Sequence, residues 1–218
     1  MKLFKIEGIS NPEAKVYSKI VARSPFMKDF YREVAEEVSS KVSSEKILDI
    51  GTGPGYVPLE IARKSQNLEI KAVDISPAMV RIASKNAEDA GLSGRVQFQY
   101  GSAESIPFGD GYFDLIISTI SFHHWAKPKE CLKEIHRVLK NNGEAWIYDL
   151  RRDPTKEARA QLRNRYGRFL SFLVLYFVRP HSSVKLQDFR EVIPLSGIGF
   201  SENSIEDRGI ILKLRLLK

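Results

Sequence analysis

Residues 47–55, with the sequence ILDIGTGPG, combine residue types that can bind a small polar ligand. Apolar residues surround Asp49, and glycine then recurs at positions 51, 53 and 55. A glycine-rich turn lets a ligand lie against the backbone, because no Cβ atom stands in the way. The carboxylate of Asp49 would repel a phosphate and attract a cation. The segment therefore favours a ligand that carries a positively charged group.

The glycine spacing argues against two common phosphate-binding turns. A dinucleotide fingerprint follows G-x-G-x-x-G, and this chain has Tyr56 where the third glycine would stand. The pattern G-x-x-x-x-G-K-[ST] of nucleoside-triphosphate binding is absent as well. A ligand with a charged amino group, a ribose and a purine but no phosphate agrees best with these residues, and S-adenosylmethionine is such a ligand.

A second acidic residue, Asp74, ends the segment LEIKAVD 25 residues after Asp49. A carboxylate at this point can accept hydrogen bonds from both hydroxyls of a ribose. Ser76 and Pro77 follow and are typical of the cap and first turn of a helix. The segment therefore predicts a second strand that ends in a ribose-binding acid.

These residues must be positioned by a framework of alternating strands and helices, which indicates a parallel sheet with right-handed crossovers. The patterns predict strands at 46–50, 69–74, 95–100, 113–119 and 143–150, and helices at 55–65, 76–90 and 127–140. Further helices are predicted at 12–22, from Ser24-Pro25 onward, from Asp153-Pro154 to Arg179-Pro180 with a weak point at Gly167, and near 185–195, before two last strands in 203–217.

The motifs together resemble class I S-adenosylmethionine-dependent methyltransferases, and among them the ubiquinone/menaquinone-biosynthesis methyltransferases. ILDIGTGPG matches the glycine-rich motif, VDISPAM the acidic-strand motif, GSAESIPFGDGYFDLIIS the adenine loop and fourth strand, and HHWAKPKECLKEIHRVLKNNG the next helix and its turn. The resemblance is strong over residues 45–150. It implies an α/β fold, a Rossmann-like doubly wound seven-stranded sheet that is mostly parallel with an antiparallel last strand, and helices on both faces.

The resemblance also implies a set of cofactor contacts and one departure from the family pattern. The family usually has an aspartate at the position of Ser102, where it holds the adenine amino group, and serine is shorter and uncharged. The implied cofactor-binding residues are Tyr17, Asp49, Gly51, Thr52, Gly53, Gly55, Asp74, Ile75, Met79, Ser102, Ala103 and Ser118.

Two adjacent histidines, His123 and His124, follow the fourth predicted strand, where acceptor-side residues of the family tend to lie. A neutral imidazole can take the proton from an acceptor hydroxyl or a carbon acid. Both are therefore candidate catalytic residues. The alternative is that they only pack or form hydrogen bonds in the loop.

We expect one methyltransferase domain over residues 1–218. Its expected parts are an N-terminal helical cap (1–44), a cofactor-binding core (45–150), a helical acceptor-side lid (151–200) and closing strands (201–218). Either the N-terminal section or the helix after the fifth strand can exclude water from the methyl transfer, which depends mainly on positioning.

Charge and composition limit the kinds of partner and the cellular compartment that we expect for this chain. The net charge is +7, and residues 151–168 alone hold seven Lys/Arg against two Asp/Glu, which can steer an anionic partner or form a solvated face. The apolar run at 169–178 is about half as long as a membrane-spanning helix. A single cysteine excludes disulfides and indicates a reducing cytoplasm, the N-terminus has no signal-peptide pattern, and no metal site is expected.

The expected function is methyl transfer to a small-molecule acceptor that is apolar and carries an anionic group. The end of the fourth strand lacks the Asn/Asp-Pro-Pro-aromatic motif of amino-methylating enzymes, and no cysteine stands where pyrimidine C5 methylation needs a nucleophile. RNA methylation stays open because of the basic segment. A protein that binds the cofactor without catalysis stays open because of Ser102.

Overall fold

The computed structural model describes residues 23–42, 45–178, 183–192 and 198–218. Tyr17 and the helix predicted at 12–22 lie outside these residues. The described strands are β1 (Lys46–Ile50), β2 (Glu69–Asp74), β3 (Val96–Tyr100), β4 (Phe113–Thr119), β5 (Leu139–Leu150), β6 (Glu202–Asp207) and β7 (Ile211–Leu217). The described helices are α1 (Pro25–Lys41), α2 (Tyr56–Lys64), α3 (Pro77–Asp89), α4 (Pro128–Val138), α5 (Lys156–Leu173) and α6 (Leu186–Val192).

The seven strands form one sheet in the order β3-β2-β1-β4-β5-β7-β6. Strands β1 to β5 pair in parallel, whereas β7 runs antiparallel to both β5 and β6. The mostly parallel sheet with an antiparallel last strand is therefore confirmed. The chain leaves β1 toward β2 on one side and later returns to place β4 on the other side. The crevice at the carboxyl ends of β1 and β4 is thus the switch point where open α/β sheets bind ligands.

Helices cover both faces of the sheet, as the alternation predicted. One apolar core joins buried residues of α1, α2, α3 and α5 to one face, and the other core joins α4 and α6 to the opposite face. In β1 the side chains alternate between these cores, with Ile47 in the first and Leu48 and Ile50 in the second. This period of two places Asp49 on the face that α1 and α2 cover.

Helix α1 is tied to the sheet by an ion cluster around Glu37. The carboxylate of Glu37 accepts hydrogen bonds from Arg208, from the buried ammonium of Lys213 and from the Tyr148 hydroxyl. Burial opposes ionisation of Glu37, but the bonds from Arg208 and Lys213 lower its pKa to about 2. Lys213 also lies 4.0 Å from the ring centroid of Trp146, a cation–π distance. The cluster fixes α1 against β5 and β7.

Two predicted boundaries differ from the structure around β5. Helix α4 ends at Val138 instead of residue 140, because the N–H groups of Gly111 and Tyr112 and the Lys218 ammonium bind its last carbonyls. Strand β5 begins at Leu139 instead of residue 143, and its register with β4 shifts between Phe113 and Leu115. The chain therefore enters the sheet earlier than the Asn-Asn-Gly turn signal indicated.

Helix α5 begins at Lys156, two residues after the predicted start at Asp153-Pro154, and bends at Gly167. The Thr155 hydroxyl caps it by accepting the N–H of Ala158. Gly167 has φ 78° and ψ 168°, and the chain continues beyond Leu173 as a π-helical turn over Val174–Val178. Among the described helices, none combines the length and the apolar character needed to cross a bilayer.

Candidate cofactor site and histidine–aspartate pair

The turn after β1 has the backbone conformation that only glycine adopts easily. Gly51 has φ +70°, and a Cβ atom there would lie 2.6 Å from Cβ of Ser121. Gly53 has φ +53°, and a Cβ atom there would meet no heavy atom of the described residues within 4 Å. Gly55 is the N-cap of α2. The turn is thus pressed against the loop after β4 on one side and open to a ligand at Gly53.

Asp74 at the end of β2 holds this turn in place. Its Oδ2 accepts the N–H of Gly53 at 2.8 Å, and its Oδ1 accepts the N–H of Ser76 at 2.8 Å. Burial raises the pKa of Asp74, although both backbone bonds oppose the rise. Each carboxylate oxygen keeps a further lone pair, so the group can hold the turn and accept ribose hydroxyls together.

Asp49 is buried without a partner. Its exposed fraction is 0%, and neither of its oxygens has a hydrogen-bond partner among the described residues. The nearby Thr52 hydroxyl is likewise unpaired within the described chain. Burial, together with the negative charge of Asp74, raises the pKa of Asp49 to about 7. A cationic ligand group here would compensate the carboxylate charge, as S-adenosylmethionine would with its amino group or sulfonium.

A pair of serines joins the β4 loop to the same edge. The hydroxyls of Ser118 and Ser121 are 2.6 Å apart, and the Ser121 hydroxyl donates to the carbonyl of Ile50 at 3.3 Å. The predicted site residue Ser118 is therefore buried inside the contact between β1 and β4. This contact fixes the distance between the glycine turn and the segment that contains the two histidines.

His123 forms a buried pair with Asp149, the next-to-last residue of β5. The Nδ1 atom of His123 lies 3.1 Å from Oδ1 and 3.0 Å from Oδ2 of Asp149. Asp149 also accepts the N–H groups of His123 and Leu150. The exposed fractions of the His123 and Asp149 side chains are 5% and 0%. A carboxylate at Nδ1 favours the tautomer with the proton on that atom, which leaves Nε2 as an acceptor.

The Nε2 atom of the His123 ring is the one that can accept a proton. This atom is buried and has no hydrogen-bond partner among the described residues. The ring of His124 lies beside that of His123, with centroids 4.0 Å apart, and the bonds to Asp149 described above are those of His123. Both histidines were predicted from the sequence, and the structure adds Asp149, which lies at the end of the fifth strand. Its position at that strand end was the signal that could have found it.

Ser102 stands at the position of the family aspartate, and its hydroxyl holds the loop that contains it. The Ser102 hydroxyl accepts the N–H of Glu104 at 3.1 Å. Ala103 packs against the core on the α4 face, and the Oε1 atom of Glu104 is buried and unpaired among the described residues. On the other side of Asp74, Ile75 is partly buried and Met79 is 1% exposed.

The sheet thus gathers most of the predicted residues at one edge. The glycine turn, Asp49, Asp74, Ser118 and His123 all lie at or after the carboxyl ends of neighbouring strands. The buried unpaired atoms of Asp49, Thr52 and His123 agree with a polar, cationic ligand that enters between β1 and β4. Their individual roles toward that ligand stay predictions.

The strand order, the antiparallel last strand and the glycine turn at the switch point define a class I methyltransferase. Residues 48–147 match the family described as a methyltransferase domain. The demethylmenaquinone methyltransferase of Thermotoga maritima is 30% identical over 174 residues, which cover 72% of this chain and 73% of that protein. The chain belongs to the S-adenosylmethionine-dependent methyltransferases of class I, in the subgroup of ubiquinone/menaquinone-biosynthesis enzymes.

Other relatives agree with this assignment. A ubiquinone/menaquinone biosynthesis C-methyltransferase of Citrifermentans bemidjiense is 35% identical over 107 residues, which are 49% of this chain and 46% of that protein. A candidate S-adenosylmethionine-dependent methyltransferase structure from Methanococcus maripaludis is 26% identical, with a TM-score of 0.73 and 97% coverage of both chains. A methyltransferase structure from Aquifex aeolicus, at 18% identity and a TM-score of 0.69, covers 96% of this chain and 99% of its own and shares the fold.

The chain is therefore an S-adenosylmethionine-dependent methyltransferase, and not the non-catalytic binding protein that Ser102 had left open. S-adenosylmethionine is its cofactor and supplies a methyl group activated on a sulfonium. The division of the chain into cap, core, lid and closing strands stays a prediction.

Asp49 is expected to make stability depend on pH. Its pKa is about 7 in the folded chain, against an ordinary aspartate value of 3.8, so between pH 4 and 7 the unfolded chain ionises while the folded chain stays protonated. The unfolding free energy of the cofactor-free protein should therefore fall by roughly 4 kcal/mol over this range. Asp49→Asn should remove this fall, as urea unfolding at pH 4, 5.5 and 7.5 would measure. Parallel profiles for wild type and variant would contradict the expectation.

Ser102→Asp is expected to leave cofactor affinity unchanged or to strengthen it. An aspartate carboxylate can accept the Glu104 N–H as the serine hydroxyl does, so the loop should keep its shape. The new carboxylate would also offer the adenine amino group a charged acceptor. Calorimetric titration of both proteins with S-adenosylhomocysteine measures the difference. A large loss of affinity with an unchanged melting temperature would show that the loop requires serine.

Proposed function

We propose that the chain methylates a ring carbon of a reduced, hydroxylated quinone-type acceptor, with His123 as the general base. The names of the relatives support this acceptor class, because they describe demethylmenaquinone and quinone-biosynthesis C-methyltransferases. The chain covers less than half of several of these proteins, so the acceptor is inferred for this chain and not transferred as a fact. Methylation of an acceptor oxygen is the second candidate, since the same base would serve it.

One observation carries the proposal: the buried pair of His123 and Asp149 with an unpaired Nε2 at the edge beside the glycine turn. Asp149 fixes the ring orientation and stabilises the positive charge that His123 gains when it takes a proton. An imidazole held in this way can accept a proton from an acceptor hydroxyl through Nε2. No described residue forms a hydrogen bond with Nε2, so an acceptor hydroxyl that reaches this atom would be its partner.

The proposed chemistry balances on the acceptor. His123 Nε2 takes the proton of a ring hydroxyl, and the electron pair left on oxygen raises the electron density at the neighbouring ring carbon. When bound, S-adenosylmethionine would supply the methyl group to that carbon, and its sulfur would keep the electron pair of the broken carbon–sulfur bond. The methylated carbon then loses its proton to solvent, which restores the aromatic ring, and the protonated His123 returns its proton to the ring oxygen. The protein contributes proton transfer, orientation and exclusion of water.

The exposed arginines of α5 give no independent support for an anionic group on the acceptor. Arg159, Arg163, Arg168 and Phe172 are exposed on α5, and Tyr176 is exposed on the π-helical turn after it. The apolar character of the acceptor stays part of the proposal. Its anionic group stays an expectation of the sequence alone.

The test uses labelled S-adenosylmethionine with a soluble demethylated naphthoquinol under reducing conditions. Label in the quinol, located on the ring carbon by mass fragmentation, would support the proposal. Label on the ring oxygen would favour the second candidate. Label recovered only in added RNA would overturn both and favour the RNA alternative.

A further inference from the structure

The outer side of α5 and the turn after it form a basic and aromatic groove of about 420 Å³. We call it the α5 groove. Among the described residues, no acidic side chain lines it. Its lining consists of Lys156, Arg159, Arg163, Arg168, Ser171, Phe172, Leu175 and Tyr176.

The four cations of the α5 groove have no ion-pair partner in the described part of the chain, although the guanidinium Nε of Arg159 donates to the Pro154 carbonyl. Arg165 on the same helix differs, because it pairs with Asp29 and Glu33 on α1. The same helix therefore uses one arginine for docking onto the protein and presents four cations outward.

Aromatic rings continue this surface toward the carboxyl end. The exposed fractions of Phe169, Phe172 and Tyr176 are 76%, 49% and 62%. The rings of Phe172 and Tyr176 lie together, with centroids 4.8 Å apart. Leu162 and Val174 face the core instead. The helix thus has one face packed on the protein and another that exposes cations up to Arg168 and aromatic rings from Phe169 onward.

We propose that the α5 groove docks the enzyme on an anionic lipid bilayer. Lys156, Arg159 and Arg163 lie on successive turns of one helix face, and Arg168 follows the bend at Gly167. A row of exposed cations along a helix matches a surface of many charged headgroups. Aromatic rings grouped at one end agree with insertion of that end at the headgroup and acyl boundary.

The separation of cations from aromatic rings along the chain distinguishes a bilayer from a nucleic acid as the partner. A nucleic acid would also attract the cations, with its bases stacked on aromatic side chains placed along the basic groove. Here the cations occupy 156–168 and the exposed rings 169–176. The segregation favours a bilayer, whose charged and apolar layers are separated in depth.

The test measures vesicle binding by flotation, without turnover. Wild type should bind vesicles of phosphatidylcholine with phosphatidylglycerol, bind phosphatidylcholine alone weakly, and dissociate as salt rises. Arg159→Glu with Arg163→Glu should lower the partition coefficient at least about tenfold, because each basic residue contributes about a fivefold attraction. Phe169→Ser with Phe172→Ser should lower it on the same vesicles.

The matched control is Lys129→Glu with Arg190→Glu, which makes the same charge change on α4 and α6, helices of the opposite face. It should keep wild-type vesicle binding, and circular dichroism should show that every variant is folded. Equal binding by the groove variants and the control would overturn the proposal. The proposal would also be overturned if wild type bound single-stranded RNA or pyrophosphate and did not bind vesicles. Because binding is read without an acceptor, the result does not depend on the proposed quinol chemistry.

Discussion

His123→Gln is expected to lower kcat by roughly 10²–10⁴-fold, the usual contribution of a general base, while the Kd of S-adenosylmethionine stays nearly unchanged. Glutamine can still donate a hydrogen bond to Asp149, so the loop after β4 should keep its place. It offers no basic nitrogen to the acceptor, so only proton transfer is lost. Single-turnover kinetics with labelled cofactor, beside a calorimetric titration, separates the two quantities.

The neighbouring histidine provides the matched control for this experiment. His124→Gln changes the same residue type in the same turn, but the Nδ1 contact with Asp149 is made by the ring of His123. Its kcat should therefore stay close to wild type. A kcat that falls equally in both variants, or falls only in His124→Gln, would remove His123 from the role of base.

Asp149→Asn should lower kcat in the same direction and alter its pH profile. An amide N–H facing Nδ1 would favour the tautomer that has its proton on Nε2, where the acceptor proton must go. Its single oxygen also cannot accept both the His123 and Leu150 N–H groups as the carboxylate does. The melting temperature must therefore be measured together with the pH profile, so that local unfolding is not read as lost catalysis.

The sequence predicted the framework well where apolar runs end in turn residues. The observed bounds of β1, β2 and β4 equal the predicted ones, because Gly51, Asp74 and the Asp110-Gly111 turn delimit these strands. The bend at Gly167 was also predicted, since glycine is the weak point of a helix. The end of α4 was not, because its last carbonyls are bound by Gly111 and Lys218, which are remote in the chain.

In the candidate site, too, features formed by residues close in the sequence could be predicted, and contacts between remote residues could not. Asp49, Asp74 and the glycines could be found from spacing along one or two strands. The pairing of His123 with Asp149 could not, because it depends on the β4–β5 register that places Thr119 opposite Tyr148. The outward direction of Arg159 and Arg163 likewise depends on which face of α5 packs on α1. Residue types suggested chemistry, and the sheet register decided which side chains meet.

Asp74 illustrates how one residue can have a second role that the sequence does not reveal. The sequence predicted an acceptor for ribose hydroxyls. The structure adds bonds from the N–H groups of Gly53 and Ser76 to the same two oxygens. A loss of cofactor affinity in an Asp74 variant could therefore come from the missing ribose contacts or from a displaced turn, and the experiment must separate the two.

Asp74→Ala is expected to weaken S-adenosylhomocysteine binding by roughly 10²–10⁴-fold. Hydrogen bonds to a charged group contribute roughly 1.5–3 kcal/mol each, and two ribose hydroxyls would lose their acceptor. The sharper measurement is a cycle that also uses the 2′-deoxy ligand. Removal of the 2′-hydroxyl should weaken binding to wild type and have little further effect on Asp74→Ala, because the acceptor is already absent. If the missing hydroxyl weakens both proteins equally, Asp74 acts only by holding the glycine turn, and the ribose binds elsewhere.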